Sequence, residues 1–148
     1  MIVRAMQPLD LHRIRIDQAA LPGWRDQGAT MLAAGPCWAA VQDGEVLALA
    51  GLVVHWPGRA GCWCLIGTHF PRRGWVWLHK QVVRRMGEAQ QQLQLHRIEA
   101  ESAYGWLPGA RWLERLGFER EGLMRAYGHD GRDFIRWARI ASAAEGTT

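Results

Sequence analysis

The chain is first defined by what it has little of. Among its 148 residues no apolar run approaches the roughly 20 needed to span a bilayer as a helix. Arg4 interrupts the start, and no basic flank precedes an apolar block, so neither a membrane span nor a signal peptide is expected. Cysteine is scarce: Cys37, Cys62 and Cys64 are the only three. An odd count with a C-x-C spacing is no disulfide framework. No second cysteine pair or nearby histidine pair completes a zinc site, so no metal is expected. The simplest location is a reducing cytoplasm. Lysine is almost absent, Lys80 being the only one, so arginine carries nearly all the positive charge behind a formal net charge of +4. Arginine favours forked contacts to phosphates and carboxylates. The charges are scattered, however, which points to a solvated basic surface rather than a nucleic-acid stripe.

What is present describes a globular chain. Hydrophobic residues make up 49% and charged residues 22%, enough for one core. A single domain over residues 1–141 is expected, with a frayed tail at 142–148. Nine tryptophans are expected mostly in the core, because an indole buries a large apolar area.

Residues 2–6 read as a strand. Pro8 and Asp10 open a helix expected to run to about Leu21, where Pro22-Gly23 breaks it. A second helix, Trp24 to Ala34, stops at Gly35-Pro36. Strands at 37–41 and 46–56 flank Asp43-Gly44, a hairpin signal. Pro57, Gly58 and Gly61 bound the next turn, and 62–70 reads as a strand. Gly51 and Gly67 suggest bulges or close backbone approaches. Trp75 to Leu93 has helical spacing, with the glutamines at 90–94 as its exposed end. Residues 96–103 alternate as a strand, and Pro108 suits the first turn of a helix. Leu116-Gly117-Phe118 is a helix stop. Residues 119–127 and 132–140 form a last hairpin over His129-Asp130-Gly131. The order is β-α-α-β-β-β-α-β-α-β-β: an α/β chain with one mixed sheet and helices on both faces.

That order carries specific motifs: His96-Arg97-Ile98-Glu99-Ala100, then Trp112 to Phe118, then Glu121-Gly122 and Arg125. They resemble the GNAT superfamily of acyl-CoA-dependent N-acyltransferases, and within it the Rim-type branch that acetylates protein N-termini. Val3-Arg4-Ala5 with Asp10 resembles the family's first strand and helix. Leu65-Ile66-Gly67-Thr68 together with the Tyr127 to Phe134 segment also resembles small GNAT-like proteins of tailed phages, including an internal-virion-protein group.

The resemblance implies a fold, a cofactor and a reaction. Acetyl-CoA would be the acyl donor and a primary amine the acceptor. The start of the 75–93 helix, with Arg72, Arg73, Gly74 and Trp75, would hold the pyrophosphate. Backbone along Leu65, Ile66, Gly67 and Thr68 would meet the pantetheine and polarise the thioester. The family's loop usually reads Gln/Arg-x-x-Gly-x-Gly/Ala. Pro71 to Val76 keeps one glycine and adds two arginines. Glu101 or His69 would take the amine proton. Many members carry a tyrosine four residues before the Gly-Phe glycine as acid; here that position is Leu113, so Tyr127, Tyr104 or water would substitute. Cys62 and Cys64 share a strand face and read as small buried residues rather than nucleophiles. The alternative is a GNAT-fold binding or virion-associated protein without turnover, placed in the host cytoplasm or the virion. A homodimer through the last strand is an open expectation.

Overall fold

The computed structural model describes residues 1–16 and 23–142. Seven strands form one mixed sheet: β1 (Ile2–Ala5), β2 (Cys37–Gln42), β3 (Glu45–Trp56), β4 (Arg59–Ile66), β5 (Arg97–Ala103), β6 (Glu119–Met124) and β7 (Phe134–Ile140). Their hydrogen-bonded order is β1-β2-β3-β4-β5-β7-β6. Four α-helices accompany them: α1 (Asp10–Arg13), α2 (Gly28–Ala34), α3 (Trp75–Gln92) and α4 (Leu107–Arg115). The element order is the expected one. Strands β4 and β5 pair in parallel, and parallel neighbours need a crossover, which α3 supplies.

Contacts divide the chain into two compact units. The first comprises Met1–His55 and Cys62–Val82, the second Trp56–Gly61 and the chain from Val83 onward. In the first unit β1, β2 and β3 are antiparallel. Asp43 and Gly44 turn with φ of 51° and 79°, the left-handed pair that a two-residue hairpin requires. The core gathers Met6, Leu11, Ile14, Cys37, Ala39, Val46 and Leu49, with Trp24, Met31 and Trp63 packed against it. Asp10 is fully buried at the start of α1 and takes both guanidinium nitrogens of Arg4, at 2.7 and 2.9 Å, and the Gln7 N–H at 2.7 Å. Burial works against its charge, but these donors outweigh it and lower its pKa.

In the second unit β5 pairs with β7, and β7 with β6, all antiparallel. Helix α4 ends as its residues dictate. Gly117 adopts φ +91°, its N–H bonds the Glu114 carbonyl, and the Phe118 N–H bonds the Leu113 carbonyl. That is a Schellman stop, with Phe118 buried beneath it.

Several expectations are corrected. Helix α1 ends at Arg13, not near Leu21, and residues 17–21 lie outside the described residues. Trp24–Gln27 is a 3-10 turn leading into α2. Strand β4 starts at Arg59 and stops at Ile66, so Gly61 lies within it and Gly67 to Phe70 beyond it. The bulges fall at Ala40/Val41 and Arg120/Gly122. Gly51 instead marks a close approach, since a Cβ there would sit 2.7 Å from Cys37 Sγ. Gln90 is buried, not an exposed end, and accepts from Arg139 at 2.9 Å. Among the tryptophans only Trp137 is fully buried, whereas Trp56, Trp75 and Trp106 are exposed. Cys64 is exposed rather than buried. Of the expected tail, residues 143–148 lie outside the described residues.

Candidate active site

The residues expected to do chemistry fall into three local groups. Two belong to the first unit. The segment Leu65–Thr68 closes β4 and turns inward. The Gly67 N–H donates to the Leu47 carbonyl at 2.8 Å, and the Thr68 N–H donates to the Arg15 carbonyl at 2.7 Å. Gly67 is buried, and a Cβ there would meet the Leu47 oxygen at 2.8 Å. The close approach at this glycine is therefore made by the chain's own carbonyl. The Gly67 amide is thus already satisfied by Leu47.

The second group follows at once. His69 Nδ1 lies 2.6 Å from Glu45 Oε1, both side chains being partly exposed. In the neutral ring, a proton on Nδ1 donated to Glu45 leaves Nε2 as the acceptor. Arg72–Gly74 forms a 3-10 turn that runs straight into the 18-residue α3. Gly74 is buried against the Phe70 ring, and Phe70 packs on Trp75 at 5.2 Å between centroids. Arg72 and Arg73 are exposed, and no ion pair to either occurs among the described residues. The head of a long helix with two exposed guanidinia before it makes a place for a polyanion.

The third group lies in the second unit. Glu101 on β5 stands opposite Arg136 on β7, and Arg136 Nη2 is 3.3 Å from Glu101 Oε1. Tyr127 lies beside the same pair: burial raises its pKa first, then the charge of Glu101, while Arg136 works in the opposite sense. Its ring packs edge-on to Phe134 at 5.6 Å. Tyr127 lies in the loop after β6, not on that strand as expected. The arrangement offers a carboxylate that can receive a proton beside a neutral hydroxyl that can donate a hydrogen bond. Tyr104 is exposed, and Leu113 puts an apolar side chain in α4 at the position where the family often has its tyrosine.

Arg136 is held in turn by Glu99. This buried carboxylate accepts from Arg59 at 2.7 and 2.8 Å, from Arg97 at 2.6 Å and from Arg136 at 2.6 Å. Glu121, the extra residue of the β6 bulge, pairs with Arg97. The hydrogen bond from Arg59, then that from Arg97 and the charge of Arg136, outweigh burial and hold Glu99 at about 2. Neither Arg136 nor Glu45 was singled out by the sequence. Only the cross-strand register places Arg136 opposite Glu101.

With this geometry in hand, solved structures supply the comparison. A GNAT-family acetyltransferase from Streptococcus pneumoniae superposes with a TM-score of 0.72 at 12% identity, over 95% of this chain and 99% of that one. The chain has the GNAT fold. A ribosomal-protein-S5-alanine acetyltransferase from Vibrio fischeri matches this GNAT-fold chain with a TM-score of 0.73 at 16% identity, over 95% and 93% of the two chains. A mutant spermidine N-acetyltransferase from Vibrio cholerae matches with a TM-score of 0.71 at 15% identity, over 95% of each chain. No family model matches the sequence, and neither does any curated protein. At such identities the likeness is one of fold, and a GNAT fold does not by itself carry an activity.

Proposed function

We propose that the protein is an acyl-CoA-dependent N-acetyltransferase. It would move an acetyl group from acetyl-CoA to a primary amine, by direct attack within a ternary complex. The observation that carries this reading is the Glu101–Arg136–Tyr127 group, a carboxylate ion-paired across the strands to Arg136 with a tyrosine beside them, in a chain of this fold. Arg72, Arg73 and the α3 N-terminus suit the pyrophosphate. Backbone along Leu65, Ile66, Gly67 and Thr68, at the end of β4, would meet the pantetheine and polarise the thioester.

In this reading Glu101 takes a proton from the acceptor ammonium, directly or through water, and the neutral amine then attacks. A protein α-amino group titrates near ~8 and asks little of that base, whereas a lysine near ~10.4 asks much more. His69, oriented by Glu45, is the second candidate base. Tyr127 stays neutral throughout the working pH range, because its pKa is raised. A thiolate of ordinary pKa near ~8.5 is a weaker base than tyrosinate. Tyr127 therefore serves as a hydrogen-bond donor to the departing sulfur, with the proton supplied through Glu101.

Thiol release from acetyl-CoA with a panel of amines tests the reading. Glu101→Gln is expected to lower kcat by ~10²-fold or more, with Tyr127→Phe smaller in effect. Thiol release that neither substitution alters would refute the assignment of this group. A second reading, a binding or virion component without turnover, is favoured by Leu113 and by the exposed Val76 in place of the usual small residue. No thermal shift at millimolar acetyl-CoA and no thiol release with any amine would leave that reading standing.

A further inference from the structure

The first unit contains an open depression of about 600 Å³ whose walls come from the end of α1, the three residues after it, Arg25 and Thr68. Its charge is one-sided. His12, Arg13, Arg15 and Arg25 line it, and no lining residue among the described residues is acidic. Nearby acids are committed. Asp10 already receives both nitrogens of Arg4, leaving Arg13 at 3.7 Å as an outlying partner. Asp26 faces His12 at 3.3 Å. No ion pair to the Arg15 side chain occurs among the described residues.

The cations are mounted on pinned backbone. Arg25 donates from Nη1 to the carbonyls of Leu11 and Ile14, at 2.6 and 3.1 Å, and stacks on Trp24 at 4.4 Å. That anchors its guanidinium, and Arg25 lines the depression. The Arg15 carbonyl accepts from the Thr68 amide at 2.7 Å and its hydroxyl at 3.3 Å, which ties this arginine to the end of β4. Gly67 has no room for a side chain there, so this junction is close-packed. The volume is that of a small-molecule pocket rather than a groove for a polymer. Guanidinium forks in a concave site select planar or tetrahedral oxyanions.

We propose that this depression is a binding site for an oxyanion, carboxylate or phosphate, and that it selects an acceptor carrying an acid group as well as its amine. The selection of acceptor rests on the acetyltransferase reading; the oxyanion site does not. Arg13 and Arg15 provide the charge, and Arg25 a third cation anchored to the backbone.

Equilibrium titration of the full chain with succinate and with methylphosphonate at low salt tests the site without turnover. The wild type is expected to bind either probe, with affinity falling as salt is added. Arg13→Ala/Arg15→Ala should weaken binding by about tenfold or more, while Arg84→Ala, on the exposed face of α3, should not. Equal binding by the double variant overturns the site, as does displacement of the probe by CoA, which would assign it to the donor. In thiol-release assays an amino acid should show a KM about tenfold below that of its amide, and the double variant should abolish the difference. A preference for the amide overturns the acceptor assignment. If no amine releases thiol while probe binding behaves as expected, the transferase reading fails and the oxyanion site stands.

Discussion

Substituting Glu99 by glutamine tests the account of the second unit most directly. The carboxylate is 6% exposed and receives four hydrogen bonds from Arg59, Arg97 and Arg136. Glutamine keeps one acceptor oxygen but points an N–H₂ at donors and removes the charge. The cluster then changes from three arginines facing Glu99, Glu101 and Glu121 to an excess of one positive charge. Breaking a buried pair from one side costs about 3–5 kcal/mol. Linkage gives a similar figure. A carboxyl ordinarily near 4.5 and held at about 2 contributes about 3 kcal/mol at neutral pH. The sign follows from the lowered pKa. The contribution is complete above the unfolded value near 4.5 and is lost as pH falls toward 2. Urea unfolding of both proteins at several pH values measures it. The expected gap is about 3 kcal/mol at pH 7, shrinking to about 1 kcal/mol by pH 2.5. A gap that is absent at pH 7, or unchanged at pH 2.5, would refute the reasoning.

Three further outcomes follow from the geometry. Gly35→Ala would bring a Cβ to 2.1 Å from the Leu52 carbonyl, backbone against backbone, so a loss of at least about 2 kcal/mol is expected in thermal unfolding; an unchanged Tm would contradict it. Cys64 is exposed and Cys37 buried, while burial raises both thiols, Cys37 to about 11 and Cys64 to about 12, so a thiol reagent should label Cys64 in the native protein slowly, and faster as pH rises, and reach Cys37 only on unfolding. Equal native labelling of the two would be wrong for this structure. Arg4→Ala leaves Asp10 buried without its forked partner and should cost about 3 kcal/mol, measured by urea unfolding, with Asp10→Asn/Arg4→Ala recovering part of it.

Local chemistry made much of the fold legible. Asp43-Gly44 and Leu116-Gly117-Phe118 each require left-handed backbone at one place, and each structure forms where the residues demand it. The misjudged boundaries share a cause. Leu11, Ile14 and Leu21 have helical spacing, yet after Arg13 the chain is extended: Ile14, capping α1, has ψ of 136°. Arg25 supplies the donors that satisfy the freed Leu11 and Ile14 carbonyls. A partner eleven residues away overrides the local preference, and periodicity does not report it.

The chemistry was less legible, for a reason of the same kind. Glu99 and Glu101 are two residues apart on one strand face and look equivalent in sequence. Cross-strand register separates them. Glu99 is enclosed by three arginines, whereas Glu101 shares only Arg136 and keeps an exposed edge beside Tyr127. A carboxylate held at about 2 is a poor proton acceptor at neutral pH, however well placed. In the proposed mechanism Glu99 would therefore orient, through Arg136, and Glu101 would be the candidate base. That division of labour depends on Arg59, 40 residues upstream of Glu99. It is why a motif centred on residues 96–100 can mark a fold and still not name the base.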